Sequence, residues 1–229
     1  MLINFKYWFK FYRDENLKYI SHLDLLRAFE RAIRRSNIPI IYSQGFNPRQ
    51  KISFALHLAV GISSISEYGE MLLSKKIEGE EIKNEVNKYL PLGLSIMEIV
   101  KVGHNLPTIM SKISHAEYNI VSENIIDKLK LEDFFGQKAI PYIKKTKNKE
   151  SEINLKDYIQ ELKIDDNQIK VLLKSGSQGH IKPTEFLKSF YKENIDYFNI
   201  SRVNIFIQES NKLITPFHYA ASKMHYIYA

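Results

Sequence analysis

Cysteine is absent from all 229 residues. That absence excludes a disulfide framework, a thiol nucleophile and any iron–sulfur cluster held by cysteine thiolates. Histidine pairs at metal-ligand spacing are also lacking. The seven histidines are scattered, so neither a resident metal nor another cofactor is expected. His22, His57 and His115 can meet only if the fold brings them together. No apolar run reaches the roughly 18 residues a membrane helix needs. The opening residues lack the charged-then-apolar order of a leader peptide. The chain therefore reads as soluble and cytoplasmic, with no membrane partner. Its 44% hydrophobic and 26% charged content is that of a globular protein rather than a disordered one.

Acidic residues are scarce in one region only. Residues 1–61 hold ten Lys and Arg against four Asp and Glu, whereas the other 168 hold 23 against 22. Six of the seven net positive charges thus lie in the first quarter of the chain. A concentrated basic patch attracts polyanions, and RNA is the commonest of these in a cytoplasm. The length allows two domains of about 100 residues each or one large one.

In residues 4–12, Phe5, Tyr7, Phe9 and Phe11 alternate with Lys6, Trp8, Lys10 and Tyr12, the period of a strand. A helix opens at Ser21, a good N-cap, with Asp24 three residues on and an Ile20–Leu25 staple. Leu26, Phe29 and Ile33 form its apolar stripe, with Leu25, Ala28 and Ala32 beside it. Arg27, Arg31, Arg34 and Arg35 cluster on another face, Glu30 is spaced to pair with Arg34, and Asn37 to Pro39 end the helix. A Gly and Pro loop over 44–50 and an apolar strand over 52–60 follow. Residues 63–67 read as a turn, 68–73 as a strand, 79–90 as a helix and 94–102 as a strand. That β-α-β-β-α-β order is ferredoxin-like. It puts both helices on one sheet face and leaves the other free for a partner or second domain.

Residues 104–110 read as a linker between a first unit over 1–103 and a weaker ferredoxin-like unit over 111–209. In the second unit, which carries an insertion, strands are expected over 116–121, 169–174 and 201–208, while 139–146 and 158–162 flank a polar, lysine-rich loop. Helices are expected over 122–134, capped at Ser122, and over 184–193. The fold class is therefore α+β, two ferredoxin-like units in tandem, with an aromatic tail over 210–229 that carries Phe217, Tyr219, Tyr226 and Tyr228.

Three stretches could carry chemistry. In the loop, Gly45 permits positive φ and Asn47-Pro48 fixes an extended turn. Arg49 and Lys51 would then face phosphate, with Phe46 free to stack on a base. Ser21, His22 and Asp24 have the composition of a hydrolytic triad, but neighbours on one helical turn diverge, and capping accounts for Ser21 and Asp24. His22 is left as a weak catalytic candidate, an acid or base beside an RNA backbone. The run from Ser175 to Pro183 lacks the Gly-Lys-Ser/Thr ending of a P-loop and reads as a plain β-to-α turn.

Tyr19-Ile-Ser-His-Leu-Asp-Leu-Leu-Arg27, Phe29-Glu-Arg-Ala-Ile-Arg-Arg35, Tyr42-Ser-Gln-Gly-Phe-Asn-Pro48 and Lys51-Ile-Ser-Phe-Ala55 resemble the radical SAM-linked (radical SAM-associated) family. This is a bacterial domain of unknown function found beside, or fused to, B12-binding radical SAM proteins. The likeness runs over about residues 3–102 and continues weakly through Ile200-Ser-Arg-Val203. Where that family often has His-Pro after Asn-Pro, this chain has Arg49-Gln50. The resemblance implies an accessory role in company with RNA-processing genes. A paired ferredoxin-like layout with a basic helix also resembles, in architecture alone, RAMP-type CRISPR-repeat endoribonucleases. The expected function is RNA binding through Arg27, Arg31, Arg34, Arg35, Phe46, Asn47, Arg49 and Lys51, in tRNA or rRNA modification beside a B12-binding radical SAM partner. Without cysteine the chain cannot hold that partner's cluster itself. The alternatives are a metal-independent RNA-processing enzyme using His22, and a protein-only docking factor.

Overall fold

The computed structural model describes residues 4–145, 150–176, 179–192 and 195–225. The expected positions Thr146, Glu193, Tyr226 and Tyr228 lie outside them. The chain is α+β, built on one large sheet whose ladders are antiparallel except for a single joint. In the first half, β1 (Phe5–Arg13), β2 (Ile52–Phe54), β3 (Ile62–Leu73) and β4 (Leu94–Val102) stand in the order β4-β1-β3, with β2 on the far side of β3. Helices α1 (His22–Arg35) and α2 (Gly79–Asn87) connect them.

The second half has β5 (Ile113–Ser122), α3 (Lys128–Gly136), a separate hairpin of β6 (Pro141–Lys145) and β7 (Glu150–Asn154), β8 (Ile159–Ile164), β9 (Gln168–Lys174), α4 (Pro183–Tyr191) and β10 (Phe198–Glu209). Here the sheet order is β10-β5-β9-β8. The parallel joint is β10 against β3, pairing Ile200, Ser201 and Arg202 with Ile62, Ser63 and Ser64. Instead of two separate sheets, one sheet, of nine strands among the described residues, runs through both halves. A short β11 (Lys212–Ile214) pairs with β10, and α5 (Pro216–His225) follows.

Strand alternation sorts the core. Tyr7, Phe9 and Phe11 on β1 pack with Phe29 of α1 and Phe54 of β2 under the first helices. The Phe9–Phe29 and Phe11–Phe29 rings lie 5.5 and 5.0 Å apart, close enough for each pair to add about 0.5–1.5 kcal/mol beyond simple burial. The helix stripe is centred one residue away from the expected one: Leu25, Ala28, Phe29, Ala32 and Ile33 are buried, and Leu26 only partly. At the C-terminal end of α1, Asn37 takes φ 56°, the left-handed cap that a short polar side chain tolerates.

Trp8 and Tyr68 face the other way, and that face is not free. Trp8 stacks on Tyr219 of α5 at 6.2 Å, and Tyr68 meets Phe217 edge-on at 5.3 Å. The expected linker packs there too, with Leu106 and Ile109 buried. Lys6 Nζ donates to Leu106 O at 2.8 Å, and Glu70 accepts the Ile109 N–H at 3.0 Å. Large aromatic side chains on both faces of β1 need cover on both.

Four expectations fail on tertiary grounds. Residues 63–67 are strand, not turn, because their polar side chains find partners on distant elements. Ser63 donates to Glu15, Ser64 to the Arg202 carbonyl, and Ser66 to Asn204. The apolar strand after the loop stops at Phe54, and residues 55–61 leave the sheet. Ser122 ends β5 rather than capping a helix, and the next helix begins at Lys128 under an Asp127 cap. The helix from Gly79 ends at Asn87, whose side chain bonds the Ile96 backbone in both directions at 2.8 Å.

Candidate functional site

Helix α1 is fixed at its start by Ser21. The Ser21 hydroxyl oxygen accepts the Asp24 N–H at 3.1 Å and donates its own proton to Asp24 Oδ2 at 2.7 Å. Both groups of the supposed triad are thereby used in capping. Arg27, Arg31, Arg34 and Arg35 are exposed along the helix. Arg27 reaches back to Asp24 at 3.2 Å. The spacing of Glu30 and Arg34 produces no ion pair among the described residues. Instead the Glu30 carbonyl accepts from Gln50 Nε2 at 3.1 Å.

That bond clasps the loop to the helix. Gln50 is buried and also reaches the Tyr42 hydroxyl at 3.3 Å. Ser43 closes the loop, its N–H donating to Arg49 O at 2.8 Å and its hydroxyl accepting the Arg49 N–H at 3.0 Å. Gly45 sits at φ +117°, which a side chain would strain. Loop and helix thus enclose a groove of about 380 Å3, walled by Leu23, Leu26, Arg27, Arg34, Pro48 and Arg49. Of the expected binding residues, three share this groove. Arg31, Arg35, Asn47 and Lys51 are exposed but do not line it, and Phe46 is fully exposed at the loop tip.

At the start of α1 the His22 ring lies 4.7 Å from the His57 ring and 5.6 Å edge-on from Phe54. His115 does not join them. It is buried on β5, where its Nδ1 meets Ser114. Burial holds His22 below the ordinary imidazole range. His57 is lowered by burial, then by His22 whenever that ring is protonated, and by the cations Arg202, Lys182 and Arg13. Both rings are therefore neutral at pH 7, one able to accept a proton and the other to donate one.

His57 belongs to a segment latched by two buried arginines. Arg13 of β1 donates to the carbonyls of Ile20, Ala59 and Ile62. Arg202 of β10 donates to His57 O at 2.8 Å and, through Nη1, to both Glu67 oxygens at 3.0 and 2.9 Å. Burial works against the Arg202 charge, but the facing Glu67 carboxylate and Tyr118 together outweigh it, so the guanidinium is held above its ordinary range. Burial pushes the Glu67 carboxyl up in spite of the two arginines beside it. Sequence reasoning missed Arg13, Glu67 and Arg202. The available signal was an arginine inside the apolar run Ile200-Ser-Arg-Val203, since an unpaired cation is rarely placed in a buried strand. Of the run from Ser175 to Pro183, Ser177 and Gln178 lie outside the described residues, while His180 and Lys182 line the same cleft as His57.

The chain belongs to the family described as an uncharacterized protein conserved in bacteria (DUF2344), whose model matches residues 6–183. The matched span contains the whole groove and the His22–His57 pair. No curated protein matches the chain. Among the described residues no helix is long and apolar enough to cross a membrane.

Proposed function

We propose that this chain is a cytoplasmic RNA-binding accessory protein, acting beside a radical SAM enzyme in RNA modification or processing. The observation that carries the reading is the groove in which Arg27, Arg34 and Arg49 converge beside an exposed Phe46. Arginine forks match phosphate oxygens, and an aromatic ring stacks on an unpaired base. The radical SAM partner rests on the sequence resemblance alone. We also read the two sheet halves as ferredoxin-like units, the second with the β6–β7 hairpin inserted. Supporting this, β4-β1-β3-β2 and β10-β5-β9-β8 are the same order of fourth, first, third and second strand.

The test is fluorescence anisotropy with labelled RNA over a salt series. Arg34→Ala combined with Arg49→Ala removes two phosphate contacts. The log–log salt slope should fall by roughly 1.4–1.8 while the melting temperature stays put, since exposed charges add little stability. Wild-type affinity and slope in the double variant would remove the groove as an RNA site and favour protein docking through the same arginines.

A second reading has its own support in the His22–His57 pair. Two neutral imidazoles 4.7 Å apart could serve as base and acid for metal-independent RNA cleavage. Incubating end-labelled RNA with the pure protein and with His57→Ala tests it. Cleavage that survives the substitution would exclude that chemistry.

A further inference from the structure

Beyond the groove, where β10 meets β3, a cleft of about 210 Å3 opens beside the latched segment. Its floor is apolar, with Ile62 and Tyr118, and its polar groups are His57, His180, Lys182 and Arg202. The carboxylates nearby are occupied. Both Glu67 oxygens bind Arg202, and Glu185 accepts the Lys182 N–H at 2.8 Å. Positive charge is left in excess: Lys182 is exposed, Lys144 Nζ donates to His180 O, and Arg13 and Arg202 lie beneath. The N-terminus of α4 opens at the same place, with Pro183 in the wall, and adds its own partial positive charge. Two nitrogens of the lining, His180 Nδ1 and Arg202 Nε, are buried with no hydrogen-bond partner among the described residues. Arg202 Nε is a donor, and His180 Nδ1 is a second one in the tautomer that protonates it; a buried donor without an acceptor is costly.

We propose that this cleft binds a phosphate monoester carrying a compact apolar body. The phosphate dianion meets donors from the loop, the turn and the helix end together, more than the two oxygens of a carboxylate would use. The apolar part lies over Ile62 and Tyr118. A volume equal to about seven waters of liquid admits a phosphate and one ring, not a polymer. The proposal stands independently of RNA binding in the groove.

Phenyl phosphate is the probe, with orthophosphate and phenol as its two halves, titrated into the full chain by calorimetry and by histidine-ring NMR. Phenyl phosphate should shift the His57 and His180 rings and bind at least about tenfold tighter than either half. Lys182→Ala should weaken it about fivefold or more, whereas Arg34→Ala should leave it unchanged. The comparison of the three compounds needs only the unaltered protein, so it stands whether or not a variant folds. Binding no tighter than that of orthophosphate would overturn the proposal. So would shifts confined to His104 or His218, or an affinity that Lys182→Ala leaves intact.

Discussion

Glu67→Gln removes a charge from the seam between the sheet halves and nothing else of size. In the native chain, Glu67 and Arg202 are each about 2% exposed at the side chain and bonded through two oxygens. The variant leaves the Arg202 cation buried near a second buried cation, Arg13. Breaking a buried pair on one side typically costs about 3–5 kcal/mol. For a chain of this size, each kcal/mol lowers the melting temperature by about 2–4 °C, so a fall of roughly 6–20 °C is expected. Urea unfolding followed by circular dichroism should show a lower midpoint at an unchanged slope. The companion variant, Glu67→Leu with Arg202→Met, removes both charges and should recover most of the loss. What it forgoes is the Arg202 bond to His57 O, a net of about 1 kcal/mol. A melting shift under about 3 °C for Glu67→Gln would refute the idea that this pair locks the two halves together.

Ser21→Ala should cost about 1 kcal/mol through loss of the helix cap, with RNA affinity unchanged. Lost affinity at wild-type stability would return Ser21 to the functional residues. Gly69→Ala should destabilise by more than about 1 kcal/mol, because a Cβ there would lie 2.4 Å from the Phe9 ring and 2.8 Å from Ser53 O; a urea midpoint equal to wild type refutes the contact. Stability should also fall as pH drops from about 7.5 to 5.5. Burial holds His22, His57 and His180 below the unperturbed value of 6.5, so the unfolded chain takes up protons first and the slope of stability with pH is positive. Urea midpoints at the two pH values check the sign, and an equal or higher midpoint at pH 5.5 contradicts it.

Local signals carried much of the first half. Alternation in β1 was legible because both of its faces are buried, and α1 because cap, stripe and Asn37 agree. Residues 63–67 were misread because serines favour turns, and their partners Arg202 and Asn204 lie 138 residues away. The arginines of the candidate interface could be named from spacing. Which of them share the groove could not, since the Gln50 clasp decides that and its partner is a main-chain carbonyl. The cleft was hidden for a further reason. Its histidines and cations come from distant strands and turns, and no local pattern joins them.

The joint between β3 and β10 also has a consequence in time. Arg202 reaches Glu67 across 135 residues. At a synthesis rate of about 5–20 residues per second, roughly 7–27 s separate the two during translation. For that interval the Ile62–Ser64 edge of β3, which β10 later pairs, is an open sheet edge, the kind of surface that nascent chains aggregate through. Its outer end holds Ser63, Ser64, Ser66 and Glu67 around Ile62 and Ile65, a mostly polar run suited to water until β10 arrives. The same polar run that obscured a strand in the sequence is a means of waiting.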